Sequence, residues 1–451
     1  MAKLREKDLV DLLRSRPHQS GGELSRALDI SRATLSRRLR SLGDELLRQG
    51  GAKNTRYALQ RPLRGRVGAA PIYAVDAEGD GLTIGTLALT EPYGSLLFSR
   101  EPFPWPVEGP LMAQGWWEGL PYPIYDMRPR GFLGRDFARR HSEALEVSAS
   151  PDEWSDDDVV HVLSRVGDDM PGNWIVGEAS YRRFLDKRTR GEHFIDDDEV
   201  GTRYPELAAQ VLAGGYAGSS AAGEFTKFIA ARRIDGRPEH VIVKFSGADG
   251  STAVRRWSDL LMCEHLALEM LDNSLKLPVP KSRIHEAAGR RFLEVVRFDR
   301  HGPHGRLPVC TLESLNFALV GRVEASWPDV ARVLSRRGYL PEGEVERIRL
   351  LWWFGKLIAN TDMHHGNLAF HPGLRLAPAY DMLPMLFAPQ RGGEVPEREF
   401  EPEPPLPDER DTWHAAAQAA AAFWRRCADD LRISDGFRRH CEQHAVLLEN
   451  R

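Results

Sequence analysis

The chain has 451 residues, of which 42% are apolar and 28% are charged, and its formal net charge at pH 7 is −4. This length and apolar share predict two or three globular domains and exclude an intrinsically disordered chain. Because no window approaches 18 consecutive apolar residues and the stretch MAKLREKDLVDLLRSRP has no apolar core, we expect neither a membrane span nor a signal peptide.

The cysteines are few and widely spaced. None of the four belongs to a CxxC pair; they are Cys263, Cys310, Cys427 and Cys441. This distribution argues against a disulfide framework and against a structural zinc site. It predicts a protein of the reducing cytoplasm.

Positive charge is concentrated near the amino terminus. Residues 1–66 contain 16 Lys and Arg against 7 Asp and Glu, so this head carries +9 and the rest of the chain carries −13. A basic head on an acidic body predicts that the head alone contacts a polyanion. The alternative is a basic tail that is simply solvated.

Three helices and a hairpin are predicted in the head. Apolar residues at helical spacing predict a first helix around residues 9–13, and GELSRALDIS predicts a short second helix. Ser31 is the predicted N-cap of a third helix, RATLSRRLRSLGDELL. The stretch LLRQGGAKNTRYALQR predicts a hairpin with Gly50 and Gly51 near its tip. This arrangement resembles a winged helix-turn-helix DNA-binding domain over residues 1–62.

The third helix is the predicted recognition helix, because its leucines form an inward stripe and its arginines face outward. The candidate DNA contacts on this helix and on the wing are Arg32, Thr34, Arg37, Arg38, Lys53 and Arg56. Arg37 or Arg38 is suited to pairing with guanine, whereas the wing cations are suited to phosphates. The alternative is a winged helix that contacts a protein.

Two features between residues 66 and 300, a region of predicted short strands, are suited to binding phosphates. In GGYAGSSAAGEFTKFIA, small residues would let backbone amides approach a phosphate, and Lys227 follows them. In HVIVKFSG, Lys244 lies within a β-branched run, similar to the strand lysine with which kinases hold nucleotide phosphates. The alternatives are an ordinary turn and a lysine that keeps an edge strand soluble.

The elements after Lys244 also follow a kinase order. A helix, RRWSDLLMCEHLALEMLD, offers Asp259 and Glu264 as the two candidates for the carboxylate that pairs with a kinase lysine. The stretch RFLEVVRFDR then predicts a strand that leads into a hinge.

Three polar residues mark the candidate reaction centre. Asn367 follows Asp362 by five residues, the interval between the base and a metal ligand in kinase catalytic loops, and Asp381 follows after a predicted hairpin. Asp362 is therefore the predicted base, and Asn367 and Asp381 are the predicted Mg²⁺ ligands. The alternatives are a zinc or iron site built from the histidines of DMHHGN with His371, and plain turn residues.

Several stretches together resemble one family, the HipA-type serine/threonine kinases, which are toxins of bacterial toxin–antitoxin systems. They are SSAAGEFTKF, HVIVKF, VVRFDR, NTDMHHGNLAF, LAPAYDML and GDDMPGNWIVG. The added winged helix resembles the YjjJ- or HipH-like subgroup. The resemblance implies an α+β fold: a protein-kinase-like two-lobed HipA fold with an N-terminal winged helix-turn-helix. The expected domains are the head at 1–62, a β-rich amino-terminal lobe at 66–298 and a helical carboxy-terminal lobe at 299–451.

The resemblance also implies site residues, cofactors and partners. The implied ATP-binding residues are Ala222, Gly223, Glu224, Phe225, Thr226, Lys227, Lys244, Val296, Arg297, Phe298, His364, His365, Gly366, Asn367, Tyr380 and Asp381. The implied cofactors are ATP and Mg²⁺, and an inactivating autophosphorylation is implied at Ser220 or Ser219. The implied partners are DNA, an antitoxin protein and a protein substrate, which is an aminoacyl-tRNA synthetase for HipA relatives.

The chain departs from the family at three places, which affects the expected nucleotide affinity. The loop ends in Phe-Thr-Lys227, the hinge has Val296 where the family has a glutamate, and Asp259-Leu replaces an Asn-Glu pair. The predicted function is therefore an ATP- and Mg²⁺-dependent protein kinase toxin that carries its own DNA-binding domain. The rival prediction is a non-enzymatic transcriptional regulator whose degenerate kinase fold senses a nucleotide or a partner protein.

Overall fold

The computed structural model of the chain describes residues 2–214, 225–390, 392–405 and 407–450. The helices in this part of the chain are α1 (Ala2–Ser15), α2 (Gly21–Ala27), α3 (Arg32–Ser41), α4 (Gly109–Ala113), α5 (Tyr122–Asp126), α6 (Gly131–Leu145), α7 (Asp156–Val166), α8 (Glu178–Arg190), α9 (Val200–Ala213), α10 (Thr252–Asn273), α11 (Leu312–Leu319), α12 (Trp327–Arg336), α13 (Glu342–Leu357), α14 (Arg410–Asp429) and α15 (Asp435–Glu449).

The strands described are β1 (Gln19–Ser20), β2 (Leu46–Gln49), β3 (Arg56–Leu59), β4 (Ala70–Val75), β5 (Gly81–Leu89), β6 (Ser95–Ser99), β7 (Trp116–Trp117), β8 (Trp174–Val176), β9 (Thr226–Ile234), β10 (Arg237–Phe245), β11 (Ser282–Ala287), β12 (Arg290–Val296), β13 (Arg300–His301), β14 (Gly305–Arg306), β15 (Cys310–Thr311), β16 (Ala369–His371) and β17 (Arg375–Leu376). No helix in the described ranges is long and apolar enough to span a bilayer.

Contacts divide the chain into two compact units. The first comprises Met1–Val75, Asp80–Arg128 and Ala138–Arg190, and the second comprises Asp76–Gly79, Pro129–Phe137 and Gly191–Arg451. The predicted domain limits, at residues 62–66 and at 298–299, stay a prediction. The division by contacts falls near residue 190 and coincides with neither limit.

In the first unit, residues 1–62 form three helices and a three-stranded antiparallel sheet with the order β1-β3-β2. Ser20 and Ser31 cap α2 and α3 by accepting backbone N–H bonds, so the predicted start of the third helix is present. The leucines of the three helices pack with Leu59 of β3 into a small core. The winged-helix identity of this head stays a prediction.

The head packs against the five-stranded sheet β7-β6-β5-β4-β8 of the same unit. Ala58 of β3 is buried with Leu96 and Trp116, and Arg61 forms an ion pair of 2.6 Å with Asp157. The carboxy-terminal end of the head is therefore packed against the rest of the first unit.

The second unit contains a four-stranded antiparallel sheet, ordered β11-β12-β10-β9. In the chain, α9 precedes β9, α10 lies between β10 and β11, and the other helices of this part follow β12. Lys244 lies opposite Lys227 on β9 and opposite Leu293 on β12, so it is in the interior of the sheet. The 22-residue helix α10, capped by Ser251, carries a long buried face that includes Glu264. The predicted hairpin before Asp381 is present as β16 and β17.

Candidate active site

A buried lysine and two carboxylates form the centre of the candidate site. The Lys244 Nζ atom lies 2.7 Å from each Glu264 carboxylate oxygen and also donates to Asp381 Oδ1. The lysine and glutamate side chains are 7% and 2% exposed. Of the two candidates that the sequence left open, Asp259 and Glu264, it is therefore Glu264 that pairs with Lys244. Asp259 instead accepts hydrogen bonds from the backbone N–H (2.8 Å) and the hydroxyl (2.5 Å) of Ser434.

The electrostatics of this cluster favour a charged Lys244 ammonium and an ionised Asp381 carboxylate. Burial opposes the charge of Lys244, but Asp381 and Glu264 outweigh it and raise the pKa of Lys244. Burial likewise opposes the charge of Asp381, yet Lys244 and Lys227 lower the pKa of Asp381 from 3.8 to about 2. Burial raises the pKa of Glu264, which shares the same ammonium. The Lys244 ammonium thus bonds both acids, and Lys227 adds positive charge near them.

Residues at the start of β9 line the same region. Phe225 packs edge-on against Trp257, with 4.5 Å between ring centroids, and its own ring centroid is 5.7 Å from Lys244 Nζ. The Thr226 hydroxyl donates to the Phe245 carbonyl at 3.0 Å. The other predicted loop residues lie outside the described residues; they are Ser219, Ser220, Ala222, Gly223 and Glu224.

A buried asparagine that the sequence analysis missed links the predicted base to the predicted metal ligand. Asn360 Oδ1 accepts the backbone N–H of Asp362, and its Nδ2 donates to the backbone carbonyl of Asp381, both at 3.0 Å. Asp381 has a positive φ of 54°, a conformation that non-glycine residues seldom adopt. One amide therefore fixes the backbone of both Asp362 and Asp381, which are 19 residues apart. Its only signal in the sequence is an Asx-turn pattern, Asn two residues before Asp.

The segment between these loops is also held by local bonds. Asn367 Nδ2 donates to the Asp362 carbonyl at 2.8 Å, and the Tyr380 hydroxyl donates to the Gly366 carbonyl at 2.6 Å. The Gly366 N–H donates to His364 Nδ1 at 3.1 Å. Since the amide nitrogen of Asn367 makes the bond to the loop, Oδ1 is the atom with which this residue would bind a metal. The Asp362 side chain is exposed.

His365, a predicted ATP contact, faces the protein. Its Nε2 donates to the Ala325 carbonyl at 2.7 Å, and because a carbonyl only accepts, Nδ1 is the acceptor for Asn316 Nδ2 at 3.2 Å. Both ring nitrogens thus have protein partners. His365 shapes the loop and does not offer a ring nitrogen to a nucleotide.

The predicted hinge is also bonded within the protein. The N–H of Val296 donates to the Lys281 carbonyl at 2.9 Å, and the N–H of Arg297 donates to the His240 carbonyl at 2.8 Å. The Phe298 ring lies 5.6 Å from the Tyr380 ring, centroid to centroid. The hinge therefore offers an aromatic surface, whereas two of its N–H groups are already used.

The donor set at the site fits magnesium and not zinc. Within the described residues, no three His, Cys, Asp or Glu side chains are placed to hold a metal. His371 Nδ1 donates to the Pro308 carbonyl at 3.0 Å, and His371 belongs to no such cluster among the described side chains. One amide oxygen and one carboxylate, from Asn367 and Asp381, suffice for a cation that keeps waters and phosphate ligands. The four cysteines are buried, and none of them forms a disulfide within the described ranges.

In the head, the predicted DNA-contacting residues have different surroundings. Arg32 and Arg37 are exposed on α3, and Arg38 is half-buried. Thr34 belongs to the helix cap, since its hydroxyl is 3.0 Å from that of Ser31. Arg56 pairs with Glu23 at 2.8 Å, so its charge is used within the head. Of Lys53, only the backbone lies within the described part.

Comparisons with known proteins cover almost the whole chain. A family model described as "YjjJ-like toxin, middle domain" matches residues 67–185, and one described as "HipA-like C-terminal domain" matches residues 219–443. The chain is 36% identical over 434 residues to Toxin YjjJ of Escherichia coli (strain K12), across 96% of this chain and 95% of that protein. It also superimposes with a TM-score of 0.52 and 14% identity on a chain of the Shewanella oneidensis MR-1 complex of HipA, HipB and operator DNA, covering 84% of this chain and 96% of that one.

Proposed function

Because this chain belongs to the family of YjjJ-like toxins, whose carboxy-terminal part is HipA-like, we propose that it is an ATP- and Mg²⁺-dependent protein serine/threonine kinase. The observation that carries the proposal is the buried Lys244–Glu264–Asp381 cluster, which one asparagine connects to the loop of Asp362. Lys–Glu pairing next to a metal-binding aspartate is the arrangement that kinases need for phosphoryl transfer.

Each residue has a distinct part in this proposal. When bound, magnesium ATP supplies the phosphoryl group and neutralises its developing charge. Lys244, oriented by Glu264, would hold the nucleotide phosphates, while Asp381 and Asn367 would provide oxygen ligands to the metal. Asp362 accepts the proton of the substrate hydroxyl. Asn360 fixes the spacing between the base and the metal ligand, because it bonds the backbone of both residues.

Intact mass measured after incubation with magnesium ATP tests the proposal. We expect the chain to gain the mass of whole phosphoryl groups or to release ADP, and we expect EDTA to prevent both. Peptide mapping then tests Ser219 and Ser220. If neither phosphate incorporation nor ADP release occurs with magnesium present, the kinase assignment is wrong.

The rival function, a nucleotide-sensing regulator, is favoured by one observation. The N–H groups of Val296 and Arg297 are bonded to protein carbonyls, so adenine recognition would rely on other atoms. Melting temperature measured together with ADP release separates the two functions. A regulator would be stabilised by ATP without any turnover, since ligand binding alone raises stability.

We further propose that residues 1–62 bind DNA and that the protein acts in the cytoplasm as the toxin of a toxin–antitoxin pair. The support is the +9 charge of residues 1–66 and the exposed arginines of α3. An antitoxin partner and an aminoacyl-tRNA synthetase substrate are extensions from HipA-type proteins. The fused head would give this toxin its own means of reaching an operator.

Replacing Arg37 and Arg38 with alanine is expected to weaken binding to the DNA upstream of its own gene at least tenfold, because each base or phosphate contact is worth about 1–3 kcal/mol. Fluorescence anisotropy with a labelled duplex measures the loss. The control replaces Arg182 and Arg190 on α8, both exposed, and removes the same charge from the same unit. Equal losses in both variants would mean that only net charge matters.

A further inference from the structure

An open cavity in the second unit is lined by none of the candidate catalytic or ATP-binding residues. Its volume is about 370 Å³, which is at the lower end of the range for small-molecule sites. Its walls come from the residues after β10, the first turns of α10, the turn between β11 and β12, and the link between α14 and α15. The cavity therefore lies where α10, which carries Glu264, meets the end of β10, which carries Lys244.

Part of the wall favours a negatively charged ligand group. Gly250 and Val254 line the cavity where α10 begins, and α10 has no acidic residue in its first turn. Arg255, another wall residue, is exposed, and its guanidinium makes no hydrogen bond or ion pair in the described part of the chain. The amino terminus of a helix favours an anion and disfavours a cation. An anionic group beside Arg255 would therefore be stabilised by the guanidinium and by the helix together.

A buried carboxylate lines the same cavity. Asp259 is 3% exposed, and its oxygens accept the backbone N–H of Ser434 at 2.8 Å and the Ser434 hydroxyl at 2.5 Å. Burial raises the pKa of Asp259, although the bonds from Ser434 and the charges of Arg256 and Arg291 oppose the rise. Among the described residues, no basic side chain forms an ion pair with Asp259. Because each carboxylate oxygen has two lone pairs, a ligand ammonium could still bond this group.

The two charged wall residues are placed to be bridged by one ligand. Arg255 and Asp259 are four residues apart on α10, so they share one side of the helix, about 6 Å apart along its axis. Around them lie apolar wall residues: Val254 and Ile433 are buried, and Leu431 is 83% exposed. In an α-amino acid, one carbon separates the ammonium from the carboxylate, and charged hydrogen bonds of about 2.8 Å at each end give it the reach to bridge the two side chains.

We propose that this cavity binds a free α-amino acid with an apolar side chain. The ligand carboxylate contacts Arg255 and the beginning of α10, the ligand ammonium contacts Asp259, and the ligand side chain covers Leu431. The binding itself does not rest on the proposed kinase function. Under that function, the bound amino acid would stabilise the arrangement of α10 and β10 in which Glu264 bonds Lys244.

Isothermal titration calorimetry of the full chain with leucine, valine and phenylalanine tests the proposal, and the rise in melting temperature is the second readout. We expect saturable binding of at least one of the three. The N-acetyl derivative of that amino acid lacks the ammonium, and its amide lacks the carboxylate. Each derivative is expected to bind at least tenfold more weakly, because one charged hydrogen bond is lost. Failure of all three amino acids to bind at millimolar concentration overturns the proposal, and so does equal binding of the amino acid and its N-acetyl derivative.

Variants locate the binding on α10. Arg255→Gln and Asp259→Asn each remove one charge and are expected to weaken binding of the amino acid at least tenfold. Arg255→Gln should bind the amide as weakly as the wild type does, since that ligand has no carboxylate to lose a contact. The control is Arg237→Gln, an exposed position at the opposite end of β10, which should keep the wild-type affinity.

Two comparisons keep folding and the kinase proposal apart from this test. Asp259 also bonds Ser434, so the melting temperature of each variant without ligand reports its folding, while the comparison of ligands uses the wild type alone. Wild-type affinity in both Arg255→Gln and Asp259→Asn overturns the proposal. ADP release is measured on the same preparations. Its absence in a chain that binds the amino acid defeats only the kinase proposal.

Discussion

Asp362→Asn is expected to slow phosphoryl transfer by about 10²–10⁴-fold while leaving ATP binding intact. The reason lies in which atoms hold the loop. The bonds that Asp362 makes to Asn360 and Asn367 use its backbone N–H and carbonyl, so asparagine keeps the loop in place. What the substitution removes is the carboxylate that accepts the proton of the substrate hydroxyl. The substitution should therefore lower the rate of phosphoryl transfer without weakening ATP binding.

Two measurements on the same preparations test this separation. Phosphate incorporation gives the rate, and the rise in melting temperature with magnesium ATP gives binding. Asp272→Asn, the same change at an exposed position of α10, is the control and should match the wild type in both. Wild-type incorporation in Asp362→Asn would exclude this carboxylate as the base. Loss of the ATP-induced rise would mean that Asp362 is part of the binding site.

The sequence motifs predicted the family and the HipA-type fold, and both are confirmed by the matches along the chain. Spacing along the chain predicted structure correctly where the function requires two residues to be a fixed number of positions apart. The five-residue interval from Asp362 to Asn367 lets the Asn367 side chain bond the backbone carbonyl of Asp362, and apolar alternation predicted the hairpin before Asp381. The functional roles of these residues stay predictions.

Contacts between segments that are distant in the chain could not be predicted from the sequence. Glu264 and Asp259 lie on the same helix, and only the packing of α10 on β10 decides that Glu264 meets Lys244 while Asp259 meets Ser434. The role of Asn360 depends on a loop that returns 21 residues later. The sequence alone predicted that Arg56 of the wing contacts phosphate. Its ion pair with Glu23 joins two elements of the head and is therefore not apparent from the local sequence. Side-chain pairing of this kind is set by tertiary structure.

Replacing Lys244 with methionine is expected to lower the free energy of unfolding by about 3–5 kcal/mol, since it leaves the Glu264 and Asp381 carboxylates together without the ammonium that bonds both of them. It should also abolish the stabilisation by ATP. Urea unfolding followed by tryptophan fluorescence measures the first effect. Lys356→Met is the matched control: Lys356 pairs with Glu403 at 2.7 Å, but the two side chains are 31% and 61% exposed, so at most about 1 kcal/mol is expected.

The pH dependence of the Lys244→Met effect identifies its cause. In the wild type, burial opposes the charge of Asp381, but Lys244 and Lys227 together lower its pKa to about 2, so the ionised carboxylate contributes stability above the ordinary pKa of 3.8 and loses it as pH falls towards 2. In the variant the Lys244 ammonium is absent, and burial raises the pKa of both carboxyls. The two carboxyls therefore bind protons at higher pH, and protonation removes the repulsion between them. The stability difference between wild type and variant should therefore be largest near neutral pH and shrink below about pH 4. A difference that does not vary with pH would assign the loss to side-chain packing, and the charged cluster would then not be what holds β10 to α10.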